Sequence, residues 1–153
     1  MKKIAAGVLV LCPHTKRHLL MKRRKDVEFP LMWGFAAGGL DEDDNNPKIT
    51  AIREFREETG YNGKIIISKE VLLREKTNHL DFYLYLCMVP GEFKPNLSGE
   101  CECGLEHLEY AWFDLDVLDE NLMVPTVVSS IKNNKNIINK SIEFGKSHFL
   151  KEK

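Results

Sequence analysis

The chain has 153 residues, 43% hydrophobic and 29% charged, a size and mixture that fit one compact globular domain over residues 1–153. With 22 Lys and Arg against 23 Asp and Glu, the formal net charge is −1, so no overall field draws the protein to nucleic acid or an anionic membrane. Cys12, Cys87, Cys101 and Cys103 lack the density of a secreted disulfide scaffold, and no run approaches the roughly 18 apolar residues of a membrane span, so a reducing, cytoplasmic setting is expected.

In chain order, residues 4–11 form an apolar run behind Lys2 and Lys3. No small-residue cleavage site follows it, so it reads as a strand rather than a signal peptide, paired across the polar turn at 13–16 with a second short strand at 18–21. A basic cluster at 22–25 leaves that strand. Residues 33–39 alternate aromatic and small side chains and end in Gly38-Gly39, a short strand running into a tight loop.

Asn46 followed by Pro47 signals a helix start, and Gly60 signals a left-handed stop, so a helix is predicted from Pro47 to about Thr59. Residues 64–67, 70–74 and 80–89 read as strands, 91–104 as a loop, and 109–113 as a last strand. A closing helix is expected over 124–139, with Val127, Val128, Ile131, Ile137 and Ile138 facing inward. Interspersed strands and helices predict an α/β or α+β sandwich around a mixed sheet.

The chemistry concentrates at Arg53-Glu54-Phe55-Arg56-Glu57-Glu58-Thr59-Gly60-Tyr61. At roughly 100° per residue, Ile49, Ala51, Ile52 and Phe55 share one face, while Glu54, Glu57 and Glu58 gather elsewhere on the wheel. Three carboxylates near a helix C-terminus repel one another and the macrodipole, by up to about 1 kcal/mol per charge. Helical spacing alone is compatible with a solvated acidic face; a divalent cation on oxygen ligands, Mg²⁺ or Mn²⁺, would relieve the same conflict.

Together with Gly38-Gly39 upstream, this segment resembles the Nudix box, whose pattern is Gly, five residues, Glu, seven residues, then Arg-Glu-apolar-any-Glu-Glu-any-Gly-apolar. Gly39 and Arg53 stand at the required separation, and residues 53–61 fit throughout. The resemblance implies an α/β/α sandwich around a mixed β-sheet and metal-dependent hydrolysis of a diphosphate linkage in a nucleotide. It also implies metal held by Glu54, Glu57, Glu58 and a carbonyl near Gly38, with Arg53 orienting the glutamates. Two positions depart from the pattern: the first box Glu is Asn45, and the Pro expected before the glycines is Ala37. Asp43 or Asp44 is available to replace the missing ion pair with Arg53.

By the same resemblance, Glu106 is the candidate general base, with Glu100, Glu102 and Glu109 as rivals. Arg23 and Arg24 are candidate phosphate clamps, against the alternative of a solvated basic turn. Trp33, Phe35 and Phe29 are candidate base-stacking residues, although aromatic residues beside a strand are ordinarily core. Cys101, Cys103 and His107 lack the paired spacing of a structural zinc site. The expected partner is a small nucleotide rather than long nucleic acid, with a homodimer open. Asn45 keeps a second function in view, a catalytically silent nucleotide or ADP-ribose binding module. A prenyl-diphosphate isomerase would need a Cys and Glu arrangement that cannot be placed in this sequence.

Overall fold

The computed structural model describes residues 2–97, 100–101, 104–105, 107–114 and 119–150. The described strands are β1 (Lys3–Cys12), β2 (Arg17–Arg23), β3 (Trp33–Gly34), β4 (Ala36–Gly39), β5 (Ile66–Ile67), β6 (Leu73–Lys76), β7 (Leu80–Met88), β8 (Glu100–Cys101), β9 (Gly104–Leu105) and β10 (His107–Asp114). The helices are α1 (Pro47–Thr59), α2 (Pro125–Lys132) and α3 (Lys135–Leu150), with a 3₁₀ turn at Glu120–Leu122.

The main sheet runs β10-β2-β1-β7-β5, with β3 on β2, β4 on β1 and β6 on β7. Its centre is the parallel pair β1 and β7, in register from Lys3 opposite Leu80 to Leu11 opposite Met88. On its other edge β1 changes partner, pairing β4 over Ala5–Val8 and β2 over Val10–Cys12. A central strand is covered on both faces, which is why β1 is a nearly continuous apolar run. Ala6, Val8, Val10 and Cys12 face one layer with Tyr85, Cys87, Ala51 and Phe55 of α1. Leu9 and Leu11 face the other with Leu84, Leu86, Val127, Ile131, Ile138 and Ile142 of the C-terminal helices. This is the α/β/α sandwich around a mixed sheet.

Four features differ from the sequence expectations. The single closing helix is two, broken where Asn134 Nδ2 donates to Ser130 O at 2.7 Å and to Leu72 O at 2.9 Å, so the amide that punctuates the helix also ties it to the sheet edge. The second helix then continues to Leu150, and Ile137, expected inside, is 54% exposed. The span read as a loop over 91–104 contains β8, which pairs with β9. The strand expected at 70–74 lies at Leu73–Lys76 instead, set by its antiparallel register against β7.

His18 is fully buried on β2. Its Nδ1–H donates to Val10 O at 2.9 Å, and burial pushes the imidazole pKa down to about 4, so the ring sits neutral in the core. Among the described residues, no helix is long and apolar enough to cross a membrane.

Candidate active site

Helix α1 begins and ends as its punctuation dictates. Asn46 is extended (φ −161°) and its side chain accepts from Ile49 N–H at 3.1 Å, Pro47 occupies the first turn, and Gly60 closes the helix at φ 70° with its N–H donating to Arg56 O. Phe55 and Ala51 are fully buried against β1 and β7, which fixes the rotation of the helix. That rotation turns Arg53, Glu54 and Glu57 toward the glycine loop, and leaves Glu58 only 9% exposed.

Arg53 is the hub of this end of the molecule. Its Nη1 donates to Glu54 Oε1 at 3.0 Å and Glu57 Oε2 at 3.2 Å, and its Nη2 to Gly39 O at 3.0 Å and Asp44 Oδ2 at 2.9 Å. Asp44, 4% exposed at its side chain, also accepts from Thr50 Oγ1 and from Asp41 N–H, both at 2.9 Å. The Arg53 hydrogen bonds, then the Asp41 amide, hold the Asp44 carboxyl down at about 2, and Asp44 in turn raises Arg53. Of the two aspartates available to replace the box Glu, Asp44 makes the pair; Asn45, the departing position, is exposed to solvent. The glycine loop is needed for close approach: a Cβ on Gly38 would collide with the Glu54 carboxylate.

Beside this cluster lies a cleft of about 610 Å³. Arg23 and Arg24 border it with Glu28, Phe29, Glu58 and His107, Phe35 and Phe82 form its apolar floor, and Glu75, Pro125 and Thr126 stand on its far wall. The floor rings lie nearly parallel, with centroids 5.8 Å apart. Arg23 Nε donates to Glu28 O at 2.7 Å, and Arg24 pairs with Asp26 at 3.0 Å, which folds residues 24–32 back over the mouth. Phe29 and Leu31 pay for this turn with left-handed φ values of 52° and 58°, which side chains other than glycine rarely adopt.

The structure therefore brings together Arg53, Glu54, Glu57 and the Gly38-Gly39 loop, and puts Glu58, Arg23, Arg24 and Phe35 around one cleft. Trp33 does not line that cleft: it packs edge-on against Phe113 at 5.1 Å, as a residue of the core margin. Glu109, a rival for general base, pairs with Lys22 at 3.6 Å outside the lining. Glu106 lies outside the described residues, as do the side chains of Glu100 and Glu102. The far wall, from β6 and the start of α2, escaped the sequence reading; its one signal was the alternation that sets Leu73 and Glu75 on the same face as Leu84 and Phe82. Among the described residues, no three Asp, Glu, His or Cys side chains converge closely enough to hold a metal ion as they stand, because Arg53 occupies the space between Glu54 and Glu57.

A mixed sheet between helical layers thus carries a helix end with three glutamates that meets the glycines of β4 beside a cleft lined by both Arg and Glu side chains. The NUDIX domain family model matches residues 1–131, and the chain belongs to that family as a Nudix hydrolase. It is 30% identical over 128 residues to hydrolase 111R of Invertebrate iridescent virus 3, covering 82% of this chain and 67% of the relative. To the CMP-5'-(N-acetyl-N-hydroxy-3-aminopropyl)phosphonate hydrolase of Streptomyces rubellomurinus it is 29% identical over 126 residues, again 82% of this chain but 58% of the relative, so it spans little more than half of that protein. In fold it is similar to a NUDIX hydrolase from Nitrosomonas europaea, with a TM-score of 0.67 and 20% identity over 87% of this chain and 69% of that one.

Proposed function

We propose that this Nudix hydrolase cleaves the diphosphate linkage of a small nucleoside 5'-diphosphate derivative, using a divalent cation of the Mg²⁺ or Mn²⁺ kind held by Glu54, Glu57, Glu58 and the loop at Gly38. The observation that carries this reading is the Arg53 hub: one guanidinium ties the glycine loop, Asp44 and two of the three glutamates into one rigid unit. The donor set fits a hard cation, being carboxylate and carbonyl oxygen only. When bound, such an ion supplies charge to phosphate oxygens and lowers the pKa of a coordinated water. Arg53 meanwhile holds Glu54 and Glu57 against their mutual repulsion and keeps them on the side of the helix that faces the loop.

Arg23 and Arg24 grip the phosphates from the opposite rim of the cleft, where anchoring Arg23 Nε on Glu28 O leaves its guanidinium oriented for a paired contact. Phe35 and Phe82 offer the base or sugar an apolar floor. This is catalysis by positioning and electrostatics, with water as the nucleophile and Glu106 as the proposed base. The CMP group in the substrate for which the Streptomyces relative is named accords with a nucleotide as the molecule held here. Asn45 was the ground for a silent binding module, and the Asp44 ion pair supplies the support that position would otherwise lack.

The test is hydrolysis of a panel of nucleoside diphosphate compounds with Mg²⁺, with Mn²⁺ and with chelator, for the wild type beside Glu57→Gln. Hydrolysis is expected only with metal, and the substitution should lower it by about 100-fold or more. Because the Glu57 side chain is 59% exposed, the variant should keep the thermal stability of the wild type. Turnover unchanged in that variant would refute the assignment of the glutamates.

A further inference from the structure

The reading of the cleft as a nucleotide site leaves the carboxylate of Glu75 unexplained. Glu75 stands on the far wall, on β6, away from the arginines and from α1. Its Cα partner across the strands is Phe82, so its side chain rises from the same face as the cleft floor. Thr126 Oγ1, at the start of α2 on the same wall, donates to Glu75 Oε1 at 3.3 Å and steadies the carboxylate. Its polar neighbours Arg74 and Thr77 are engaged elsewhere. Arg74 faces the opposite side of the sheet and makes paired hydrogen bonds to Asp81, and the Thr77 hydroxyl serves the turn into β7.

A carboxylate lining a cleft for a polyanion repels phosphate, so the part of the substrate that meets it must be neutral and rich in N–H donors. At this end of the sheet β3 and β4 lie between β2 and β1, so four strand intervals separate Glu75 on β6 from Arg23 on β2, about 19 Å at the usual spacing of ~4.8 Å. With phosphates at the arginines and the base over Phe35 and Phe82, the edge of the base meets Glu75. Among the common bases, guanine alone presents two adjacent donors, N1–H and the 2-amino group, that match the two oxygens of a carboxylate. Adenine and cytosine each offer one amine beside an acceptor, and uracil offers one N–H flanked by two carbonyls that a carboxylate repels.

We propose that Glu75, steadied by Thr126, is a specificity-determining residue that reads the N1 and N2 donors of a guanine nucleotide. This deepens the proposed function and rests on it for the orientation of the ligand. The experiment is equilibrium binding of GMP, IMP, AMP, CMP and UMP to the wild type and to Glu75→Gln, beside hydrolysis of the matching triphosphates. GMP should bind about 10- to 100-fold more tightly than UMP, the worth of charge-assisted hydrogen bonds, with IMP between because it lacks the 2-amino group. In Glu75→Gln the order should collapse toward equality through loss of GMP affinity, with the melting temperature of the variant unchanged. Equal binding of all bases by the wild type, or a guanine preference unchanged in the variant, would overturn the role of Glu75. Guanine-selective binding lost in the variant, but with no compound of the nucleoside diphosphate panel hydrolysed by the wild type, would uphold Glu75 and overturn the hydrolytic reading instead.

Discussion

Asp44 is the residue on which the site turns. It stands one position before the place where the Nudix pattern puts a glutamate, yet it reaches Arg53 with both carboxylate oxygens and takes further hydrogen bonds from Thr50 and the Asp41 amide. Asp44→Asn would keep the shape and remove the charge, letting Arg53 drift from Gly39 and from both glutamates. The expected result is a fall in kcat/KM of about 100-fold, the usual consequence of a small misplacement of catalytic groups. Asn45→Glu should leave kcat/KM unchanged, since Arg53 already has its partner; a large gain from that substitution would show that Asp44 is an inadequate substitute. The sequence narrowed the replacement to Asp43 or Asp44 and went no further, because which aspartate turns inward depends on the path of residues 40–46. Likewise Trp33 and Phe35 look alike as aromatic residues near a glycine loop, and only the pleat of the short strands sends Phe35 to the cleft floor and Trp33 against Phe113.

At the scale of the element, α1 is the best-specified part of the chain. Cap, first-turn proline, apolar stripe and terminal glycine all agree, and the structure realises each of them. Asn46→Ala removes the side chain that accepts from Ile49 N–H and should cost about 1 kcal/mol of stability, read as a lower urea midpoint with an unchanged denaturant slope. The C-terminal helices were harder to read. A stretch rich in Asn and Lys carries no sign of whether its amides face water or, as Asn134 does, the carbonyl that leads into β6. The wall formed by β6 and the start of α2 was invisible for a related reason: Glu75, Pro125 and Thr126 lie 50 residues apart in the chain and meet only once the sheet order brings β6 under α2.

For the molecule as a whole, pH acts through groups whose folded and unfolded pKa values differ. His18 titrates at about 4 when folded against an ordinary 6.5, so the unfolded chain binds the proton first. Its neutral form contributes fully above pH 6.5, and stability should fall as pH drops from there toward 4. Asp44 and Asp81, both held at about 2, add a second loss as pH falls below the ordinary carboxylate value of 3.8. Urea midpoints measured from pH 7 to 4 should therefore decline in the wild type and stay flatter in His18→Phe, if the larger ring is accommodated; a flat wild-type profile over that range would argue against a neutral buried imidazole.

The two halves of β1 give the site an unequal foundation. Gly38 and Gly39 end β4, which is laddered to the deeply buried strand β1, and the ladder continues to Leu40, whose N–H donates to Ile4 O at 3.0 Å. The turn over the cleft mouth at 24–32 is pinned by a few hydrogen bonds at its neck and carries its own backbone strain. The side of the site that carries Glu54 and Glu57 thus rests on the ladders of the buried sheet, whereas the mouth rests on fewer bonds and is expected to open at lower free energy. Opening of the mouth would then leave the frame of the glutamates in place.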